Sequence, residues 1–475
     1  MSDFSSLHTA LSGLTAHQRA LQTIGHNVAN AATPGYSRQR VDLMSQGAGV
    51  VPAAWSRSEG VGNGVKVAGI VRIRDEFLEA RALREAGTGS HLSSLGGVMD
   101  RIEMVFPEPS DVGLAHQMAE LWAAFDDVAN QPGGNAARIA LLERASTVAN
   151  ELNRASSELT NLHGSSVGQA DALIKEVNAT AARVADLNQA IRNASSAGLH
   201  PHDLADQRDQ LIERLSSLVG ATTQPGEHGT TNVYLGGTAL VRGDRAEALL
   251  LDTSGPLPAP HDTLDLTNTQ VRWAKDNYPA TVTAGEVSGL LEGANRAIPR
   301  YLAQLDVVAT SLVDQVNDLH VQGFGLDGTN GRLFFDGTDA ATIRLHADVA
   351  GQPDHVAAAA PDPNDPTQPL GALDASWAQM LAGVGNGDSS PGKAYHDLIG
   401  GLGVENQALQ RRQQIQGEVI RQVDDAREGV RGVNIDEEMV ALVQSQHAYA
   451  ASARVMTAID EMLATLIQGT GRVGR

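Results

Sequence analysis

Apolar side chains recur at alternating spacings of three and four over the first 30 residues, which predicts one amphipathic helix about 35–40 Å long. They form a single heptad series, in which Gln18 and Gly25 occupy the two remaining places. We call the six apolar positions the N-terminal seam: Phe4, Leu7, Leu11, Leu14, Leu21 and Val28. A stripe this narrow is typical of a helix that packs against another helix, and it is narrower than the buried face of an ordinary core helix.

A turn follows this helix, in a motif made of Asn30, Thr33, Pro34, Gly35 and Tyr36. Proline cannot continue the helical hydrogen-bond ladder, and the glycine of a Pro-Gly turn suits positive φ. We therefore expect the helix to end at this motif and Gly35 to have positive φ. The motif is predicted to set the angle at which the chain leaves the helix.

The last 45 residues repeat the heptad pattern. Their apolar positions, which Gln446 and Asp460 interrupt, are the C-terminal seam: Ile435, Met439, Leu442, Tyr449, Ala453, Met456, Leu463 and Ile467. Acidic residues 436–438 stand in the first turn of this predicted helix, where negative charge favours the helix dipole. Two interpretations stay open: the terminal helices pack on each other inside one globule, or their seams pack on helices of other subunits.

The middle of the chain predicts further long helices, with heptad-like spacing over 137–162, 166–193 and 301–320. Three other stretches indicate strands: 65–73, 222–292 with a Gly-Gly hairpin turn, and 336–392. The predicted fold is mainly α: an elongated bundle of long helices, an inner coiled-coil layer of the terminal heptad helices, and β-rich insertions. The predicted regions are 1–40 with 430–475 (inner helices), 41–221 with 293–335 and 393–429 (long-helix bundle), 222–292 (β-rich insertion) and 336–392 (small mixed insertion).

Composition narrows the possible functions. The 35 Lys and Arg against 56 Asp and Glu give a net charge of −21, which disfavours binding to nucleic acid or to an anionic membrane. The absence of cysteine excludes disulfides, thiolate nucleophiles and Cys-ligated metals. No apolar stretch reaches the length of a membrane span, and the first residues do not resemble a signal peptide. We therefore expect any export to use a route without a cleaved leader.

No motif predicts catalysis. Gly387–Lys393 nearly matches a phosphate-binding loop, but Ala394 stands where the loop requires a Mg²⁺-binding hydroxyl. His200 and His202 lie in a loop without a second histidine pair at ligand spacing, so we expect a solvated loop rather than a metal site. The prediction is a protein that is not an enzyme and has no catalytic residue, cofactor or metal ion.

Residues 27–40, Asn-Val-Ala-Asn-Ala-Ala-Thr-Pro-Gly-Tyr-Ser-Arg-Gln-Arg, resemble the N-terminal signature of the flagellar axial proteins, which comprise rod, hook and hook-associated proteins. Three further segments, Arg74–Arg81, Asp206–Leu215 and Gly432–Met439, resemble the hook-associated proteins in particular. The Asp-Gln-Arg-Asp-Gln sequence that begins at Asp206 is the most specific of these, because rod and hook proteins lack it.

This resemblance implies a structural subunit that passes unfolded through the flagellar type III export channel. It implies a ring of identical subunits at the hook–filament junction, with hook subunits below and a second junction protein above. Both seams would then be assembly surfaces, and a cytoplasmic export chaperone would hold the C-terminal helix. Three alternatives stay open: a rod or hook subunit, a coiled-coil effector or tip protein of a type III secretion system, and a wall hydrolase.

Overall fold

The computed structural model describes residues 2–47, 62–261, 263–371 and 373–470, without the side chains of residues 2–5 and 469–470. Its α-helices are α1 (Ser2–Ala29), α2 (Glu76–Val105), α3 (Leu114–Asn130), α4 (Asn135–Ser196), α5 (His202–Val219), α6 (Gly285–Glu292), α7 (Ile298–His320), α8 (Ser376–Gly383), α9 (Pro391–Arg431) and α10 (Ile435–Thr470). Its strands are β1 (Gln39–Ser45), β2 (Val65–Arg72), β3 (Thr222–Pro225), β4 (Thr231–Leu235), β5 (Thr238–Arg242), β6 (Arg245–Ala246), β7 (Leu249–Pro256), β8 (Thr267–Trp273), β9 (Phe335–Asp336), β10 (Arg344–Leu345), β11 (Pro361–Asp362) and β12 (Asp365–Pro369). The mainly α prediction with strands in the middle is confirmed.

One helix is longer than the sequence pattern indicates. The predicted stretches 137–162 and 166–193 are both part of α4, a single helix of 62 residues. His163 lies between them, is buried, and has its Nε2 3.2 Å from the carbonyl oxygen of Thr267 in β8. The next residue, Gly164, costs only about 1 kcal/mol relative to alanine inside a helix, and the packing on both sides of it outweighs this cost.

Two apolar cores share α4. The first is built mainly from α2, α3, α4, α7 and α9, with Ile102, Leu152 and Leu305 among its buried side chains. The second lies nearer the C-terminal end of α4 and includes Leu215 of α5 and Val233 of β4. The β-rich stretch 222–292 packs largely on helices α4 and α2, and the predicted region boundaries stay a prediction.

The strands form small antiparallel sheets. Strands β3–β6 make a four-stranded sheet in sequence order, and β7 pairs with β8. Gly236 and Gly237 join β4 to β5 with φ of 54° and 85°, which a hairpin turn requires. Strand β2 confirms the predicted strand at 65–73, and it pairs with β1, which the pattern did not indicate.

The two ends of the chain form a unit of their own. Helices α1 and α10 pack together, and the β1–β2 hairpin packs on α1. We call α1, β1, β2 and α10 the terminal module, and all other described elements the body. Among the described residues, neither apolar core contains a residue of the terminal module. No helix in the described part of the chain is long and apolar enough to cross a membrane.

Candidate assembly interface

Helices α1 and α10 run antiparallel and touch through small side chains. Gly13 faces Ser452, whose Oγ would lie 3.0 Å from a Cβ added to the glycine. Ala10 and Ala16 are buried in α1, and Ile459 is buried in α10. Small residues allow the two backbones to approach closely, so the first of the two interpretations, packing of the terminal helices on each other, is observed in the single chain.

The N-terminal seam is only partly covered by this contact. Leu7, Leu14, Leu21 and Val28 are half-buried, whereas Leu11 is 49% exposed. The side chain of the sixth seam residue, Phe4, lies outside the described residues. The heptad series therefore lies on the flank of the helix pair, beside the alanines that face α10.

The C-terminal seam is divided between contact and solvent. Five of its members are half-buried, and these are Leu442, Tyr449, Ala453, Met456 and Leu463. The other three, Ile435, Met439 and Ile467, are exposed. Further large apolar side chains of α10 are exposed as well: Val440, Val443, Val455, Met462 and Leu466. Helix α10 thus keeps large apolar side chains in solvent although α1 packs against it.

The turn motif has the geometry that the sequence predicts. Helix α1 ends at Ala29, the Thr33 N–H donates to the Asn30 carbonyl oxygen at 2.9 Å, and Gly35 has φ of 76°. The body holds this turn directly, because Gln210 Nε2 of α5 donates to the Pro34 carbonyl oxygen at 2.6 Å. The Asp-Gln-Arg-Asp-Gln segment and the Thr-Pro-Gly-Tyr turn, which are far apart in sequence, are therefore in contact.

A buried polar cluster, which we call the clasp, joins the two ends of the chain through Asn27, Tyr36, Arg38 and Glu438. Asn27 Nδ2 donates to Glu438 Oε2 at 3.0 Å and to the Gln39 carbonyl oxygen at 2.8 Å. Asn27 Oδ1 accepts from the Tyr36 hydroxyl at 2.8 Å and from the Gln39 N–H at 2.9 Å. Arg38 Nε donates to Glu438 Oε1 at 2.7 Å.

The clasp fixes the protonation of its tyrosine. Burial, followed by the charges of Asp203, Asp206 and Glu438, raises the pKa of Tyr36 well above its usual value. The hydroxyl therefore stays protonated and donates to Asn27. Sequence reasoning placed Asn30 in the turn motif and missed Asn27; the available signal was an amide on the buried face of a helix, where a polar group needs partners.

Charge is distributed unevenly between the ends and the middle. Residues 1–75 and 431–475 hold 11 of the 35 Lys and Arg and 9 of the 56 Asp and Glu, a net charge of +2. Residues 76–430 therefore carry −23. Electrostatic repulsion between copies of the chain therefore falls mainly on the body.

The candidate chemical motifs take structural roles. Ser390 caps α9 by accepting from the Lys393 N–H at 3.2 Å, and Lys393 Nζ pairs with Asp397 at 2.8 Å, so the near phosphate-binding loop is a helix start. The rings of His200 and His202 stack with centroids 5.9 Å apart. In the part of the chain that the structure describes, no group of three His, Asp or Glu side chains is arranged to hold a metal ion.

The ends of the chain match flagellar rod proteins. Residues 7–36 match a family described as Flagella basal body rod protein, and residues 431–469 match one described as Flagellar basal body rod FlgEFG protein C-terminal. With the paired terminal helices, these matches define a structural protein of the flagellum. Residues 99–335 match the Flagellar hook-associated protein FlgK helical domain. The chain belongs to the family of the flagellar hook-associated protein FlgK.

Individual relatives agree with this family. The chain is 29% identical to the flagellar hook-associated protein 1 of Bacillus subtilis (strain 168), with 100% of both chains covered. It is 24% identical to the protein of the same name in Salmonella typhimurium, covering 98% of this chain and 99% of that one. The structure of the flagellar hook junction protein FlgK from Burkholderia pseudomallei aligns with a TM-score of 0.61 at 16% identity, covering 74% of this chain and 100% of that chain, which shows a shared fold.

Family membership gives the coarse function. The protein is a structural component of the flagellum with a role at the hook–filament junction, and it assembles with other flagellar proteins. The match over 99–335 separates the chain from rod proteins, whose families match only its ends.

Proposed function

We propose that this chain forms a ring of identical subunits at the distal end of the flagellar hook, adapts the hook to the filament, and is required for filament assembly and motility. The observation that carries the proposal is the half-covered α1–α10 pair, whose two segments match rod protein families, joined to a body that matches the hook-associated helical domain.

The two seams supply the assembly energy in this proposal. Complete burial of a Leu or Met side chain contributes about 1.5–3 kcal/mol, so a half-buried one retains on the order of 1 kcal/mol. The nine half-buried side chains of the two seams would together contribute on the order of 10 kcal/mol, before the cost of association. A free energy of this size suits an interface that forms only where several subunits meet.

The partners follow from the same surfaces. Copies of this chain cover the seams laterally, hook subunits pack below, and the second junction protein packs above. In the cytoplasm an export chaperone covers the C-terminal seam, since free α10 exposes Val440, Val443 and Met462. The chain then leaves unfolded through the flagellar type III export apparatus and takes its place outside the cell, and its lack of cysteine avoids stray disulfides in transit.

The role is structural and not enzymatic in this proposal. Lys393 lies in the first turn of α9 in an exposed ion pair with Asp397, and Ala394 stands where a phosphate-binding loop requires a Mg²⁺-binding hydroxyl. Purified protein incubated with ATP is expected to release no phosphate above buffer, and turnover that Lys393→Ala abolishes would overturn this part of the proposal.

Electron microscopy of a strain that lacks the gene tests the function. We expect hooks without filaments, with filaments restored by the unaltered gene on a plasmid. A strain without hooks would indicate a rod or hook subunit instead. Normal flagella would indicate a secreted effector or tip protein, and either result would refute the junction role.

A further inference from the structure

The chain passes between the terminal module and the body at one place. It enters the body after β2 and returns from α9 to α10, and Arg38 at the start of β1 touches both crossings. The Arg38 N–H donates to the Arg431 carbonyl oxygen at 2.9 Å, and the Arg38 carbonyl oxygen accepts from the Ile73 N–H at 2.8 Å. Three chain segments therefore meet at this point.

Helix α5 of the body meets these segments with two carboxylates. Asp206 Oδ1 accepts from Arg72 Nη1 at 2.7 Å, and Asp206 Oδ2 accepts from the Ser37 N–H at 3.3 Å. Asp209 Oδ2 accepts from Arg72 Nη1 at 2.8 Å and also from Arg74. Its other oxygen accepts from Arg208 Nη2 at 2.9 Å. The Asp209 carboxylate thus pairs with three guanidinium groups.

The ion pairs continue into two other helices of the body. Glu79 of α2 pairs with Arg74 at 2.7 Å and with Arg427 of α9 at 2.9 Å. Arg427 has only 5% of its side chain exposed and also pairs with Glu213 of α5 at 3.0 Å. Charges this far from solvent are weakly screened by salt, and removal of one partner is costly because the other remains buried.

Asp209 and Glu79 stay charged at neutral pH, because the pKa of each is lowered. Burial alone would raise the pKa of Asp209, but the guanidinium groups of Arg208, Arg74 and Arg72 bring it below its usual value. Burial also raises the pKa of Glu79. The hydrogen bond from Arg427 and the positive charge of Arg74 lower it by more, so the pKa of Glu79 lies below its usual value.

Apolar packing contributes little at the same place. A cavity of about 440 Å³ lies beside the ion pairs, between α1, β2 and the start of α5. A second cavity of about 690 Å³ lies along the ion pairs themselves. The two described apolar cores stop short of the terminal module, so directional polar contacts are what joins it to the body.

We propose that Asp206, Asp209 and Gln210 of α5 are positioning residues that fix the angle between the terminal module and the body, and that this polar joint holds the two units together. Loss of the charge on Asp209 leaves Arg208 without its carboxylate partner and leaves Arg72 and Arg74 with one carboxylate partner each. The joint then loosens while both apolar cores stay intact. The inference concerns the single chain and stands whether or not the chain forms a ring.

The absence of cysteine makes the joint directly measurable. Ala182→Cys on α4 and Ala451→Cys on α10, both exposed, place one spin label on each unit of the full chain. Pulsed electron paramagnetic resonance then gives the distribution of distances between the labels. Asp209→Asn removes the central charge, and Gln210→Ala removes only the contact with the turn.

Glu176→Gln is the matched control, because its partner Arg214 joins α4 to α6 and α5 wholly within the body. We expect the width of the distance distribution to at least double in Asp209→Asn, to increase less in Gln210→Ala, and to stay unchanged in the control. Unchanged widths in Asp209→Asn and Gln210→Ala would overturn the proposal, as would equal broadening in the control. If Asp209→Asn does not fold, Gln210→Ala decides alone.

Discussion

Gly35→Ala tests the contact between the turn and the body. Gly35 has φ of 76°, a conformation that favours glycine, and a Cβ added to it would lie 2.0 Å from Gln210 Nε2. The Gln210 side chain therefore has to move away when alanine is introduced. Its hydrogen bond to the Pro34 carbonyl oxygen, now 2.6 Å, is lost when it moves.

Two costs add in this variant. An L-residue in the left-handed region costs about 1 kcal/mol, and loss of a hydrogen bond costs about another 1 kcal/mol. Together they reduce the free energy of opening at the turn by about 2 kcal/mol, which is roughly a 30-fold change in the opening equilibrium.

Hydrogen exchange followed by mass spectrometry measures this opening. The Ser37 amide is the reporter, because it is buried and donates to Asp206. Gly25→Ala is the control: it lies inside α1 with nothing within 4 Å of the new Cβ, and alanine favours a helix over glycine by about 0.5–1 kcal/mol. Protection of Ser37 is expected to fall about 30-fold in Gly35→Ala and to be retained in Gly25→Ala.

A second background separates the two costs. In Gln210→Ala the steric conflict is already absent, so Gly35→Ala is expected to cost only the backbone term of about 1 kcal/mol, or roughly fivefold in protection. The reasoning is refuted if Gly35→Ala leaves Ser37 protection unchanged, or if it has the same effect with and without Gln210.

Three further predictions address assembly, order and pH. The double variant Leu442→Asp, Met456→Asp is expected to abolish swimming on soft agar while the thermal unfolding of the body, followed by circular dichroism, stays unchanged; normal swimming would exclude the C-terminal seam as an assembly surface. In a monomer verified by light scattering, amides near Leu7 of α1 and Leu463 of α10, at the end of the pair away from the clasp, should exchange much faster than those of α4, because half-covered helices gain little from packing; equal protection would contradict this reasoning. Burial lowers the pKa of His320 to about 4 from its usual 6.5, so the unfolded state takes up a proton first as the pH falls. The free energy of unfolding, measured with urea, should therefore fall by about 3 kcal/mol between pH 6.5 and 4, and His320→Gln should remove this pH dependence.

Local sequence was enough to predict the terminal helices, the turn and its glycine. A spacing of three and four places side chains on one helix face in any surroundings, and a Pro-Gly pair restricts its own backbone dihedrals. The sequence did not predict that α4 continues past His163. The contact that buries His163 comes from β8, which lies 104 positions later in the sequence.

The partners of each face needed the tertiary structure. The heptad pattern indicates that Leu7 and Leu14 share a face, but the close contact of Gly13 with Ser452 places α10 beside that face, so that α10 covers only part of it. The spacing of apolar residues indicates where side chains lie around one helix. It does not indicate from which direction a second helix approaches.

The clasp and the polar joint were beyond any local pattern. Asn27 and Glu438 are 411 positions apart in the sequence. Gln210 of the Asp-Gln-Arg-Asp-Gln segment contacts Pro34 of the turn, which lies 176 positions earlier. The sequence by itself determined the terminal helices, the turn, the seams and the concentration of negative charge in the middle of the chain. Only the tertiary structure decided which buried charges face one another, because that depends on the path of the whole chain, and each ion pair forms only where that path brings two side chains within a few ångströms.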